Sequence, residues 1–161
     1  MAKIETKLTE MGLVLPAPVQ VPAGTVLPFS WARRRGNRVY ISGHIPLADD
    51  GSIIAGSGKV GAEVSLEQGY EAAKRVALAI LASLQRELGD LDRVTAWLRV
   101  FGMVNTAPDF DRFPAVINGF SDLILALYGA EVGDHARTAV GMAGLPFGVP
   151  VEIEAEVEID G

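Results

Sequence analysis

Apolar residues fall into distinct periods along the chain, and the period changes at glycines and prolines. Ile4, Leu8 and Met11 recur at helical spacing and stop at Gly12, which predicts a short opening helix. The stretch LVLPAPVQVPAGTVLP that follows is rich in proline and valine and predicts an extended segment lying along an edge or surface. Phe29 to Pro46, FSWARRRGNRVYISGHIP, reads as two strands about Gly36-Asn37, a pair that accepts the positive φ of a tight hairpin. After a turn at Asp49-Asp50-Gly51, Ser65 and Gln68 form a capping box. Tyr70, Ala73, Val76, Ile80 and Leu84 then repeat at three and four residues, so the spacing predicts a long helix with one face on a sheet, ended by Gly89.

Val94 to Val104, VTAWLRVFGMV, is apolar at nearly every position, the pattern of an inner strand covered on both faces. A second helix is predicted from near Pro114, with Ile117, Phe120, Ile124 and Leu127 as its stripe up to Gly129. Two strands close the chain, Thr138 to Ala143 and Val151 to Ile159, expected as a hairpin. The order hairpin, helix, strand, helix, hairpin predicts an α+β sandwich, a mixed β-sheet with two helices packed on one face. No linker, repeat or low-complexity stretch divides the chain, so residues 1–161 read as a single domain, with 1–28 an N-terminal extension carrying the short helix.

Composition narrows the function classes. With 161 residues and 49% apolar content the chain can build one real core. Its 14 basic residues against 20 acidic ones leave a net charge of -6, with no general attraction to nucleic acid or an anionic membrane. Cysteine is absent, which removes disulfides, thiolate nucleophiles and zinc–thiolate sites together. The N-terminus lacks the apolar run of a signal peptide and no segment holds the roughly 18 consecutive apolar residues of a bilayer span, so a cytoplasmic protein with no membrane partner is expected.

Several motifs fail on their mechanics. Gly56 to Gly61, GSGKVG, matches GxGxxG, but the helix it should open starts only at Ser65, and Val60 follows Lys59 where a phosphate loop needs Ser or Thr. His44 and His135 have no metal-ligand spacing, and a two-histidine ribonuclease would need them to converge on one phosphate. Ser42 lacks the nucleophile-elbow signature. Arg33, Arg34, Arg35 and Arg38 cluster at the first hairpin as a solvated tip or an anion patch.

The final segment is more informative. Val151, Ile153, Ala155, Val157 and Ile159 point one way along the last strand and Glu152, Glu154, Glu156 and Glu158 the other. Arg137 stands among Ala136, Ala139 and Val140, and a buried guanidinium there needs an anionic partner. Glu152, which a closing hairpin would return toward Thr138 and Arg137, could supply it, and so could a ligand.

GNRVYISGHIP (Gly36 to Pro46), the segment from Asp109-Phe110 to Val116-Ile117-Asn118, and ARTAVGMAGLP with VEIEAEV (Ala136 to Val157) together resemble the Rid/YjgF family, also labelled endoribonuclease L-PSP. The N-terminal segment and the loop before the first long helix resemble a longer-chain subgroup. The resemblance implies a chorismate-mutase-like (YjgF) fold and a homotrimer with clefts between subunits. It further implies hydrolysis of reactive 2-imino or 2-enamino acids to 2-oxo acids and ammonia, without metal or organic cofactor. Carried over by position, Arg137 would clamp the substrate carboxylate and Glu152 would sit near the attacking water, while Ser42, Gly43 and Asn118 would line the cleft. Phe29 stands where the active deaminases carry a tyrosine, so the ring is kept and the hydroxyl is lost. A non-catalytic trimer binding a small carboxylate, and the endoribonuclease of the family label, are the alternatives.

Overall fold

A computed structural model describes residues 3–56 and 58–161; Ser57 of the glycine-rich stretch lies outside the described residues. The opening helix α1 (Lys3–Glu10) is followed by an irregular extended run to the hairpin of β1 (Ala32–Arg35) and β2 (Arg38–His44). Helix α2 (Leu66–Leu88), strand β3 (Val94–Asn105), helix α3 (Phe113–Gly133), strand β4 (Ala136–Met142) and strand β5 (Val151–Ile159) complete the chain. The capping box is present: Ser65 accepts from Gln68 N at 3.1 Å while Gln68 Oε1 accepts from Ser65 N at 2.8 Å. Gly89 ends α2 in the left-handed region, φ 80°.

The five strands form one sheet in the order β1-β2-β5-β3-β4, antiparallel except for the parallel β3–β4 pair. The expected closing hairpin is therefore corrected: β5 does not pair with β4 but inserts between β2 and β3, leaving β4 at the edge. The cause is α3, which lies between β3 and β4 in the chain. A helical crossover joins parallel neighbours, so β3, α3 and β4 form a βαβ unit that fills one side of β3 and leaves the other to β5.

Helices α2 and α3 lie together on one face of the sheet. Their apolar stripes, with Val76, Ile80 and Leu84 from one and Ile117, Phe120, Ile124 and Leu127 from the other, are buried against Val100, Val104, Val151, Ile153 and Val157. Trp97 sets its ring edge-on to Phe120 at 5.6 Å and to Tyr128 at 5.9 Å. By length and hydropathy α3 could cross a membrane, but its stripe is spent on this core. Its approach to α2 depends on Gly119, where a Cβ would strike the Tyr70 carbonyl group. Asp92 caps α1 by accepting from Lys3 N and Ile4 N at 2.7 and 2.9 Å.

Among the described residues no helix covers the opposite face of the sheet. Strand β3, expected to be covered on both sides, leaves Arg99 exposed there and Phe101 half-buried. This open face and the free edge of β4 are where the residues of interest lie.

Candidate functional site

Arg137 is the second residue of β4, opposite Val100 of β3, which is itself opposite Ala155 of β5. Directly paired residues share a face, so Arg137 points to the helix side, where α3 supplies its partners. Its Nη1 donates to Asn118 Oδ1 at 2.9 Å and to Ser121 Oγ at 3.1 Å, and its Nη2 to the Pro114 carbonyl at 3.4 Å. All three acceptors are neutral. Burial lowers the guanidinium from its ordinary value, partly countered by the charge of Asp122. Among the described residues Nε bears no hydrogen bond and no carboxylate pairs with the group. Nε–H and the remaining Nη2–H are left as a planar fork at the sheet edge, the geometry that receives a carboxylate bidentately.

Glu152 is not that partner. It lies opposite Met103 of β3, three positions beyond Val100, and so projects from the open face while Arg137 projects from the helix face. Two strand spacings and three residue rises separate them by roughly 14 Å. Instead Glu152 leans over Gly43, where any side chain would collide with its carboxylate. Burial first, and the neighbouring Glu154 second, raise its pKa above the usual glutamate range, which strengthens it as a proton acceptor.

Phe29, Ser42 and Gly43 belong to the same side as Glu152. Pro28 to Ser30 run beside β2 across a concavity of about 650 Å³ on the open face, lined among others by Phe29, Ser42, Arg99, Phe101 and Glu154. Phe29 is 49% exposed and stands edge-on to Trp31 at 5.0 Å. Ser42 sits in a bulge of β2, between the Ile41 and His44 pairings, and its hydroxyl donates to Ser30 O at 2.7 Å. The site residues thus form two groups: Arg137 with Asn118 at the β4 edge, and Phe29, Ser42, Gly43 and Glu152 on the open face.

Sequence reasoning missed a shared device behind the two groups. His44 Nδ1 lies 2.6 Å from Ser42 O and its Nε2 2.8 Å from Ser83 Oγ, which also accepts from Arg86 Nη2 at 3.2 Å. His135 repeats the pattern, with Nδ1 2.7 Å from Gly133 O and Nε2 2.9 Å from Ser121 Oγ, the oxygen that accepts from Arg137. Each relay ends on one group of the site, Ser42 or Arg137. Three strand spacings, roughly 14 Å, separate β2 from β4, so within one chain the histidines do not converge on a common phosphate.

Glu5, Asp90 and Asp92 bring carboxylate oxygens within 4.8 Å of one another, but they serve as caps, with Glu5 accepting from Leu91 N at 3.0 Å and Asp90 from Asp92 N at 2.8 Å. Arg34 and Arg35 are exposed at the hairpin tip, Arg33, also exposed, lines the open-face concavity, and Arg38 pairs with Glu156 at 2.9 Å.

Comparison with known proteins agrees with this architecture. Residues 5–150 match the family model described as "YjgF/chorismate_mutase-like, putative endoribonuclease". The chain belongs to the YjgF/Rid family. Protein TCP17 of Trypanosoma cruzi is 39% identical over 158 residues, covering 98% of this chain and 95% of that protein. The crystal structure of Atu1372 from Agrobacterium tumefaciens, of unknown function, is 38% identical with a TM-score of 0.86, over 99% of this chain and 93% of that one. A structure from Shewanella oneidensis MR-1 that carries the same endoribonuclease label is 25% identical with a TM-score of 0.86, over 98% of this chain and 99% of that one. In this YjgF/Rid chain the sheet, the helix layer and the N-terminal extension are thus matched together.

Proposed function

We propose that the protein is a cytoplasmic homotrimer that hydrolyses small 2-imino or 2-enamino acids to 2-oxo acids and ammonia. The observation that carries this reading is Arg137, a fixed guanidinium held by neutral acceptors with a two-donor fork left over. That fork suits the carboxylate of a 2-imino acid, and Asn118 beside it offers its amide N–H to the same ligand. Water adds to the C2 carbon of the protonated imine as Glu152 accepts its proton; that proton passes to the carbinolamine nitrogen, and as ammonia leaves, the Glu152 carboxylate takes the proton of the C2 hydroxyl, giving the 2-oxo acid. Phe29 covers the reacting carbon and excludes bulk water. Positioning an already electrophilic carbon against one water is enough, so no cofactor enters.

Because Arg137 and Glu152 lie on opposite faces of one sheet, the reading requires two protomers, the β4 edge of one meeting the open face of the next. The half-buried open face and the unpaired edge support such an arrangement. Ammonia release from 2-iminobutyrate generated in situ, together with mass measurement in solution, tests it. Wild type should turn over as a trimer, and Arg137→Ala should remain a trimer with turnover reduced by at least about 100-fold, the scale of losing a charged anchor. Equal turnover in the variant overturns the clamp. The missing hydroxyl at Phe29 favours one second reading, a trimer that binds 2-oxo acids without turnover, recognised by saturable binding with no ammonia release.

A further inference from the structure

The relay behind Arg137 has a direction that its geometry fixes from end to end. His135 Nδ1 lies 2.7 Å from the carbonyl oxygen of Gly133, and a carbonyl can only accept, so Nδ1 carries the ring proton. In the neutral ring Nε2 is then the lone-pair nitrogen, and the Ser121 hydroxyl 2.9 Å away donates to it. With its proton so committed, Ser121 Oγ turns its lone pairs outward, and Arg137 Nη1 donates into them at 3.1 Å. Asn118 Oδ1 takes the other Nη1 proton at 2.9 Å and Pro114 O takes one from Nη2.

We propose that His135 and Ser121 are positioning residues for the Arg137 clamp, an inference that rests on the carboxylate-binding reading of Arg137. Without His135 as acceptor, the Ser121 hydroxyl is free to rotate and can present its proton to the guanidinium. The guanidinium has no acceptor of its own, so that contact is lost or reversed in sign. The arginine then keeps only Asn118 and the long Pro114 contact, and its fork no longer points in one direction. Pre-organisation of this kind appears as ligand affinity.

The surroundings separate this role from a packing role. Ser121 is 8% exposed, yet it is the only polar member of the buried positions of α3 that the described residues show bonded to both His135 and Arg137. His135 is only half-buried, at the junction of α3 and β4, with Phe120 edge-on to its ring at 6.2 Å. Removing its ring nitrogens therefore empties no core cavity. The second relay offers the contrast. His44 is 4% exposed, and the arginine it serves, Arg86, is spent on Ser83 and the Pro16 carbonyl.

The test measures binding of 2-oxobutyrate to the oligomeric protein by calorimetry, with KM, kcat and melting temperature alongside. Wild type should bind and Arg137→Ala should not. His135→Phe and Ser121→Ala should each weaken binding and raise KM by about tenfold, the scale of one hydrogen bond to a charged group, with kcat and melting temperature nearly unchanged. His135→Gln, which keeps an acceptor, should recover most of the loss. The double variant Ser121→Ala/His135→Phe should be no worse than Ser121→Ala alone, because His135 acts only through Ser121. If Arg137→Ala binds as wild type does, or wild type does not bind, the clamp reading fails and takes the relay with it. If Arg137→Ala fails to bind while His135→Phe binds normally, or the two relay variants are additive, the clamp stands and the relay is overturned.

Discussion

Replacing His44 by glutamine probes how the Ser42 bulge is held, and the size of the effect follows from the burial of the ring. Burial, offset in part by the hydrogen bond to the Ser42 carbonyl, pulls the imidazole from 6.5 down to about 4. The folded state thus binds this proton less readily than the unfolded chain does. Stability is full above the unfolded value and is lost as the pH falls from there toward the folded one. The whole gap is worth about 3 kcal/mol, of which about 2 kcal/mol is lost between about pH 7 and about pH 5. Urea unfolding at one protein concentration, followed by circular dichroism at stepped pH, measures it. Near neutrality His44→Gln should be about 1–3 kcal/mol less stable, since the Ser83 hydroxyl and the Ser42 carbonyl lose a buried partner of the right shape. The two stability curves should then converge as the pH falls, because only wild type bears the histidine penalty and the remaining carboxylates are common to both. Parallel curves, or a His44 ring resonance that titrates near 6.5, would show the imidazole to be solvated and the reasoning wrong.

Three further outcomes follow from the same geometry. Inactive Arg137→Ala and Glu152→Gln proteins, unfolded together in equal amounts and refolded, should regain about one quarter of wild-type turnover, since random assembly of a ring joins an intact Arg137 to an intact Glu152 at that frequency; no recovery would place both groups of the site in one protomer. Glu152→Gln alone should lower turnover by about 100-fold, the scale of general-base catalysis, and flatten the acid side of the pH profile. The raised Glu152 carboxyl favours the fold while protonated and that favour is lost as the pH rises through its folded value, so the glutamine variant should be at least as stable as wild type near neutrality. Gly119→Ala drives a methyl group into the Tyr70 backbone; overpacking of up to about 3 kcal/mol less about 1 kcal/mol of helix propensity leaves about 2 kcal/mol lost, a fall of roughly 4–8 °C in melting temperature by calorimetry.

Local periods made the elements legible, and the lateral order of the strands escaped because a period of two tells which face a residue takes but not which strand lies beside it. The adjacency of β4 and β5 in sequence suggested a hairpin, yet the stronger signal was α3 standing between two apolar strands, since a crossover helix commits its flanking strands to run parallel. The same error displaced Glu152. Arg137 was legible as a charge in an apolar segment, and Glu152 as the first carboxylate of an alternating strand, but their relation depended on a pairing that does not exist. The relay was written in the sequence more plainly than it was read. Pro114, Asn118 and Ser121 fall at i, i+4 and i+7, a polar stripe on α3 beside the apolar one, and His135 and Arg137 fall at i and i+2 entering β4. Those spacings place all five groups along one seam between helix and edge strand, where their hydrogen bonds are found. The two-sided apolarity of β3 belongs to the same lesson: one chain covers one face only, and the second cover that its sequence anticipates is what the proposed trimer would supply, at the boundary where the two halves of the site must meet.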